Sequence, residues 1–259
     1  MSEIDRIRTQ LKRLALHTMA QCFEDEAQTA AKTEMSYVAF LARLVDAELA
    51  AKIDRSIATR LSKAKLPVLR TLEEFDFGFQ PSLPAAQIRE LGELGFLDRA
   101  ESILFVGRPG TGKTHLATGL AVRACQARKR VLFVPAPVLI EQLLAAEVTR
   151  QLPREIEDFG RLDLVVIDEL GYLPMDAHRA TLFFQLISHL YTRTAVIVTS
   201  NVPFDGWGHV FGGDDMIASA ILDRLLHFSH AFLITGPSYR MKGKLSTHPS
   251  PPEDYHDSA

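Results

Sequence analysis

Two kinds of periodicity divide the chain. Ile4, Ile7, Leu11 and Leu14 recur at alternating steps of three and four residues, which places them on one face of a helix. From about Ser36, a residue suited to cap a helix N-terminus, Val38, Leu41, Val45, Leu49, Ile53, Ile57 and Leu61 follow the same rule until Pro67 ends it. We read both stripes as core faces, with room for part of one to stay exposed in so small a helical domain. Beyond that point the pattern changes. Pro67, Gly78, Pro81 and Pro84 punctuate a linker. Short apolar runs then alternate with helical patterns: Ile103 to Val106, Val131 to Val134, Leu164 to Ile167, Ala195 to Thr199 and Ala231 to Ile234. Strands that are apolar on both faces and separated by helices predict βαβ units around a buried parallel sheet. The expected organisation is a small all-helical domain over 1–66 and an α/β domain over 67–244. A tail over 245–259, where Pro, Ser, His and Asp replace any periodicity, is expected to be disordered.

Composition narrows the class. A 47% hydrophobic and 24% charged chain is an ordinary globular one, neither disordered nor fibrous. The longest apolar runs fall far short of the roughly 20 residues of a membrane span. The opening Ser2-Glu3-Ile4-Asp5 begins no signal peptide, so a cytoplasmic protein without a membrane partner is expected. Cys22 and Cys125, the two cysteines, each fall inside a helical pattern, which favours reduced, buried thiols over a disulfide. A net charge of −3 excludes a surface that is basic throughout, so any contact with nucleic acid must be local. Lys52, Arg55, Arg60, Lys63, Lys65 and Arg70, set against Asp54 alone, form the longest basic run, and Arg128-Lys129-Arg130 a shorter one. The long run is either a phosphate-contacting segment or a solvated helix face.

The chemistry is concentrated in four places. Gly107-Arg108-Pro109-Gly110-Thr111-Gly112-Lys113-Thr114 matches the G-x-x-x-x-G-K-[ST] phosphate loop and lies after a predicted strand, at the start of a predicted helix. Its glycines let backbone N–H groups face phosphate oxygens, Lys113 reaches the β- and γ-phosphates of ATP, and the Thr114 hydroxyl ligates Mg²⁺. His115 follows inside the helix and is counted with this nucleotide-binding stretch, although packing is the simpler role for its ring. Leu164-Val-Val-Ile-Asp168-Glu169 is an apolar strand ending in two carboxylates. Asp168 would hold Mg²⁺, directly or through water, and Glu169, unable to point the same way in an extended strand, would deprotonate the attacking water. Asn201, at the end of the run from Ala195, is a candidate sensor of the γ-phosphate and the lytic water, or else a turn-former before Val202-Pro203. Arg224, on a short amphipathic helix, would either complete a neighbouring subunit's site or pair locally with Asp223. Arg240 is a weaker candidate for facing the nucleotide or DNA. None of the nine histidines has a metal-ligand spacing, and no Gly-x-Ser-x-Gly elbow occurs, which removes metal and serine hydrolases.

Over nearly its whole length the chain resembles the IstB-like ATPases that assist transposition of insertion sequences. The resemblance rests on Gly107-Arg-Pro-Gly-Thr-Gly-Lys-Thr-His-Leu-Ala, Asp168-Glu-Leu-Gly-Tyr-Leu-Pro174, Thr199-Ser-Asn201, Asp223-Arg-Leu-Leu-His227 and Gly236-Pro-Ser-Tyr-Arg240. Upstream, Ala64-Lys-Leu-Pro and Thr71-Leu-Glu-Glu-Phe-Asp-Phe77 carry it into the linker. It implies an AAA+ P-loop domain with a parallel five-stranded sheet flanked by helices, of the initiator and helicase-loader clade that includes DnaA and DnaC, behind the helical N-terminal domain. It also implies an ATP-dependent homo-oligomer that grips duplex DNA, recruits the transposase encoded by the same element, and is reset by Mg²⁺-dependent hydrolysis. Lys113, Thr114, Asp168, Glu169 and Asn201 would then act in one protomer, with Arg224 supplied to the next. Too few residues follow Ile234 for the helical lid of a general AAA+ protein, which leaves Arg240 without a lid to act from. A helicase loader sharing the same ATPase domain is the alternative. A small-molecule kinase fits less well, because Glu169, Asn201 and Arg224 are parts of a hydrolase that works between subunits.

Overall fold

The computed structural model describes residues 2–241, so the tail expected to be disordered from Leu245, and the last residues expected in the α/β domain, lie outside the described residues. Within them the chain divides into two compact units, one ending at Ser62 and the other starting at Lys63. The first unit holds three helices, α1 (Glu3–Arg13), α2 (His17–Lys32) and α3 (Tyr37–Lys63). Periodicity predicts α1 and α3, and the Ser36 hydroxyl accepts from Ala39 N at 3.2 Å, as an N-cap should. The helical pattern around Cys22 falls in α2, although small, polar and aromatic residues there form no long apolar stripe.

The stripes also face differently from the expectation. Val38, Leu41, Val45 and Leu49 are between 48% and 80% exposed, and Ile4, Ile7 and Leu14 are exposed as well. The core of this unit consists of Met19, Phe23 and Leu44, with Leu11, Leu16, Cys22 and Phe40 against it. Phe40, Leu44 and Glu48 are four apart and form a ridge of α3 beside the predicted stripe. Only two other helices are available in this unit to cover a helix 27 residues long, and the ridge that meets α2 takes that cover.

Glu48 explains how α2 is held. The helix has no side-chain cap of its own. The Oε2 atom of Glu48 accepts from Thr18 N at 2.6 Å and from Met19 N at 2.9 Å, while Oε1 accepts from Arg55 at 3.0 Å. A carboxylate on α3 thus satisfies orphan N–H groups and the positive end of α2 together.

The second unit begins with packed chain rather than free linker. Leu72, Phe75 and Leu83 are buried, as are Ile88 and Leu91 of α4 (Ala85–Leu91) and Phe96 and Leu97 of α5 (Gly95–Asp98). Its five strands are β1 (Ser102–Gly107), β2 (Val131–Pro135), β3 (Leu164–Leu170), β4 (Ala195–Ser200) and β5 (Ser229–Ile234), all parallel in the order β2-β3-β4-β1-β5. Between them run α6 (Lys113–Gln126), α7 (Ala136–Val148), α8 (Leu152–Gly160), α9 (Ala177–Leu190), the short α10 (Trp207–Val210) and α11 (Asp215–His227). Leu104, Val165, Ile167, Val196 and Val198 share one core with α7, α9 and α11, and α6 lies across β1 to β4. Both faces are therefore covered, which is why the central strands carry no polar alternation. At the β2 edge, Phe133 N donates to Ala64 O at 2.8 Å, so the strand offers fewer free backbone groups to another chain. Of the two cysteines, Cys125 is buried in α6 and Cys22 is half-buried in α2. No helix of the described residues is long and apolar enough to cross a membrane.

Burial raises the Glu48 pKa, but the two backbone N–H groups and Arg55 outweigh it and hold the carboxyl below its ordinary value. A depressed folded pKa gives stability that is complete above the unfolded glutamate value, about 4.3, and is lost as pH falls through the lower folded value. Glu48→Gln should lower the stability of the helical unit by about 1–3 kcal/mol at neutral pH. Hydrogen exchange over residues 17–32 of the full chain checks this, and the difference from wild type should shrink as pH drops below about 4.3.

Candidate active site

Parallel strands bring their C-terminal ends to one edge, and here that edge gathers the predicted residues. Val106 and Ser200 are in register, Leu170 pairs with Ser200, and Gly107 pairs with Ile234. The phosphate loop after β1, the carboxylates of β3, Asn201 after β4 and the segment after β5 therefore leave the sheet together, where open α/β sheets hold ligands.

The phosphate loop depends on two left-handed glycines, Gly110 at φ 82° and Gly112 at φ 96°. A Cβ on Gly110 would lie 2.0 Å from Ser238 Oγ, and Tyr239 N donates to Gly110 O at 2.9 Å, so the segment after β5 backs the loop closely. Lys113 is the first residue of α6, and its Nζ donates to the carbonyls of Gly107 at 2.7 Å and Arg108 at 2.9 Å. Burial pushes its ammonium below the usual lysine value. Asp168 and Glu169 pull the other way, and the positive charge of Arg240 adds to the depression.

Asp168 is 5% exposed. Thr114 Oγ1 donates to its Oδ1 at 3.0 Å, and Thr199 Oγ1 donates to the same oxygen at 2.5 Å. In a regular strand Glu169 would turn away from its neighbour. The β3–β4 pairing instead breaks between Ile167 and Leu170, and Glu169 adopts φ 60°, a left-handed conformation that costs a non-glycine residue about 1–2 kcal/mol. The break leaves its side chain exposed on the cavity wall rather than buried under the sheet. Asn201 lines the same cavity, of about 510 Å³, and its Oδ1 is buried without a hydrogen-bond partner. Trp207, fully buried, donates from Nε1 to Val202 O at 3.1 Å and anchors the loop that carries Asn201.

These features fit a magnesium-bound nucleotide. Among the described residues no three His, Cys, Asp or Glu side chains form a metal cage. A hydroxyl and one carboxylate are what Mg²⁺ takes from a protein when phosphates and water supply its other ligands. The orphaned Asn201 oxygen faces the space where a ligand or its attacking water would supply a partner.

Gly110 to Thr114, with Pro109, line the cavity alongside Glu169 and Asn201, and Asp168 reaches the site through Thr114. His115 also lines it, but its Nε2 lies 2.8 Å from Thr71 O and its ring packs edge-on against Phe75, a packing role. Arg240 lines the cavity from a short turn, Tyr239–Met241, the last element of the described residues. Arg224 is elsewhere. It shares a small depression with Ser102, Thr194 and Phe228, at the N-terminal ends of β1, β4 and β5, and so sits across the sheet from the phosphate loop. Its guanidinium donates to Ala220 O at 2.8 Å and covers the Phe184 ring at 4.7 Å rather than pairing with Asp223.

Sequence reasoning passed over Thr199 and Tyr172 as lining residues. Arg70, counted in the basic run, lines the cavity with Phe75 and Tyr172. The run is not one uncommitted stripe either, since Arg55 is bound to Glu48 and Arg60 Nε is buried. For Thr199 the signal is a hydroxyl in an otherwise aliphatic stretch of β4.

Comparison with known proteins agrees with this geometry. The model of the IstB-like ATP binding protein family matches residues 9–247. The ATP-binding protein of insertion sequence IS21 from Pseudomonas aeruginosa is 42% identical over 90% of this chain and 88% of its own length. That of insertion sequence IS5376 from Geobacillus stearothermophilus is 41% identical over 93% and 95%. Among solved structures, AMPPCP-bound DnaA from Aquifex aeolicus aligns with a TM-score of 0.55 at 21% identity, over 69% of this chain and 54% of that one. DnaI aligns at 0.53 and 18%, over 65% and 89%. The likenesses to DnaA and DnaI show a shared AAA+ fold, and the match over nearly the whole sequence establishes the lineage: the chain belongs to the IstB-like ATP-binding proteins of insertion sequences.

Proposed function

We propose that this protein binds and hydrolyses Mg²⁺-ATP, assembles with further copies of itself on duplex DNA, and there recruits or regulates the transposase of its insertion sequence. The observation that carries the reading is the meeting of Thr114 and Asp168 at 3.0 Å beneath the phosphate loop, with Glu169 and Asn201 on the same cavity. A phosphate loop alone serves many chemistries. Joined to a buried carboxylate and a free one beside it, it has the parts of an ATPase. The transposition context is supported by relatives 42% and 41% identical that are named for insertion sequences, whereas the likeness to DnaA and DnaI is one of fold.

In this reading the backbone of Gly110 to Lys113 cradles the phosphates, and Lys113 turns its Nζ from the loop carbonyls to the β- and γ-phosphate oxygens. Thr114 and Asp168 hold Mg²⁺, which supplies charge neutralisation on the phosphates when bound. Glu169 takes a proton from the attacking water as the bond between the terminal phosphorus and its bridging oxygen breaks, and the diphosphate leaves with the electron pair. The Asn201 amide orients that water. Arg224, across the sheet from its own phosphate loop, serves a neighbouring protomer's site. For duplex DNA, Lys52, Lys63, Lys65, Arg70 and Arg128 are the exposed basic residues of the two runs that hold no carboxylate, since Arg55 pairs with Glu48, Lys129 with Asp98 and Arg130 with Asp163; of these, Arg70 also lines the cavity.

Lys113→Ala should weaken ATP binding about 10- to 100-fold, the worth of lost charge-assisted hydrogen bonds. A calorimetric titration measures it, and parental affinity would refute the nucleotide assignment. Glu169→Gln keeps the shape but cannot accept a proton, so it should bind ATP normally and collect as ATP-bound oligomers on duplex DNA, seen by sedimentation. Turnover at the parental rate would move the general base to another residue. Arg224→Ala should bind ATP as wild type does and fail to hydrolyse it. Mixing it with Lys113→Ala should restore part of the activity, because the second variant still donates Arg224 to an intact neighbouring site; no recovery in co-assembled mixtures would assign Arg224 to its own protomer.

A further inference from the structure

Thr199 carries a role that neither the phosphate loop nor the acidic pair accounts for. We propose that it is a positioning residue for both carboxylates: its hydroxyl proton sets the orientation of Asp168, and its oxygen holds Glu169 in the left-handed turn that presents the general base to the cavity. The proposal rests on the ATPase reading of this site.

A threonine hydroxyl has one proton to give and lone pairs to accept with, and Thr199 uses both. It donates to Asp168 Oδ1 at 2.5 Å and accepts from Glu169 N at 3.0 Å. At 1% exposure, no bulk water stands ready to replace it. The backbone explains why the second bond matters. Where β3 and β4 lose register between Ile167 and Leu170, the Glu169 amide goes to the Thr199 side chain instead of the β4 backbone. The left-handed φ of 60° at Glu169 is unfavourable for a glutamate, so it persists only while its surroundings hold it. The first bond matters for a different reason. Thr114 Oγ1 lies within reach of both Asp168 oxygens, at 3.0 and 3.2 Å, whereas Thr199 donates to Oδ1 alone, so the Thr199 hydroxyl is the contact that distinguishes the two oxygens and sets how the carboxylate is turned. One atom on β4 thereby sets a cation-holding carboxylate and a proton-accepting one.

Thr199→Val removes the hydroxyl with little change in volume, and Thr199→Ser restores it. In the full chain with duplex DNA, Thr199→Val should lower the ATP turnover number about 10- to 100-fold, the usual effect of losing a partner of a metal-holding carboxylate. Nucleotide affinity measured without Mg²⁺ should stay within about twofold, because the phosphate cradle is untouched, and Thr199→Ser should recover most of the rate. Exchange at the Glu169 amide, read in wild type and variants without nucleotide, should be at least about tenfold faster in Thr199→Val and close to wild type in Thr199→Ser. Unchanged exchange and turnover in Thr199→Val would overturn the proposal, as would a Thr199→Ser variant as slow as the valine one. Should Thr199→Val fail to fold, Thr199→Cys, with a weaker donor of similar size, takes its place and should fall below Thr199→Ser in rate; equal rates would also overturn it. Wild-type protein that turned over no ATP would overturn the ATPase reading instead, and the amide measurement would still decide the part played by Thr199.

Discussion

A carboxylate removed from water must be met by donors, and Asp168 is met by hydroxyls from two other elements. Thr114 comes from the first turn of α6 and Thr199 from the end of β4, so the bonding of one oxygen brings β1, β3 and β4 to a common edge. The strand order follows the same need. With β4 between β3 and β1, the backbones of β3 and β1 are held about 9–10 Å apart, two strand spacings, and the loop after β1 bends over β4 to bring Thr114 to Asp168. Left-handed glycines at Gly110 and Gly112 allow the bend, and Ser238 and Tyr239 after β5 support its outer side.

Strand β3 is irregular where it reaches the candidate site. β3 pairs regularly from Leu164 to Ile167, then gives up its register and places Glu169 in a conformation a strand would not choose. In a regular strand Asp168 and Glu169 would face opposite sides of the sheet. The break exposes one acid to the cavity while the other stays buried, so two adjacent acids reach different environments.

The helical unit follows another rule. Its core is small, and a substantial share of its order comes from one buried charge, Glu48, that caps α2 from α3. That arrangement leaves Val38, Leu41, Val45 and Leu49 in solvent. An apolar stripe of helical period thus identifies a helix without identifying the face that is buried, because a neighbouring ridge can be the one that finds a partner.

Features that depend on local pattern are legible in the chain: five apolar strands alternating with helices, and a phosphate loop whose glycines and lysine are readable from spacing. Asp168, Glu169 and Asn201 were legible for the same reason, since each ends an apolar run and parallel strands deliver such ends to one edge. Tertiary structure alone decided the rest. Helix α2 has no periodic stripe and is secured by a residue 30 positions away, Glu48. Arg70 stands in a basic run by composition and on the wall of the cavity beside the phosphate loop by folding. Thr199 reads as one more β-branched strand residue until the break in β3 gives its oxygen an amide to hold. In each case the deciding partner is distant in sequence, and a hydrogen bond across such a separation leaves no periodicity behind it.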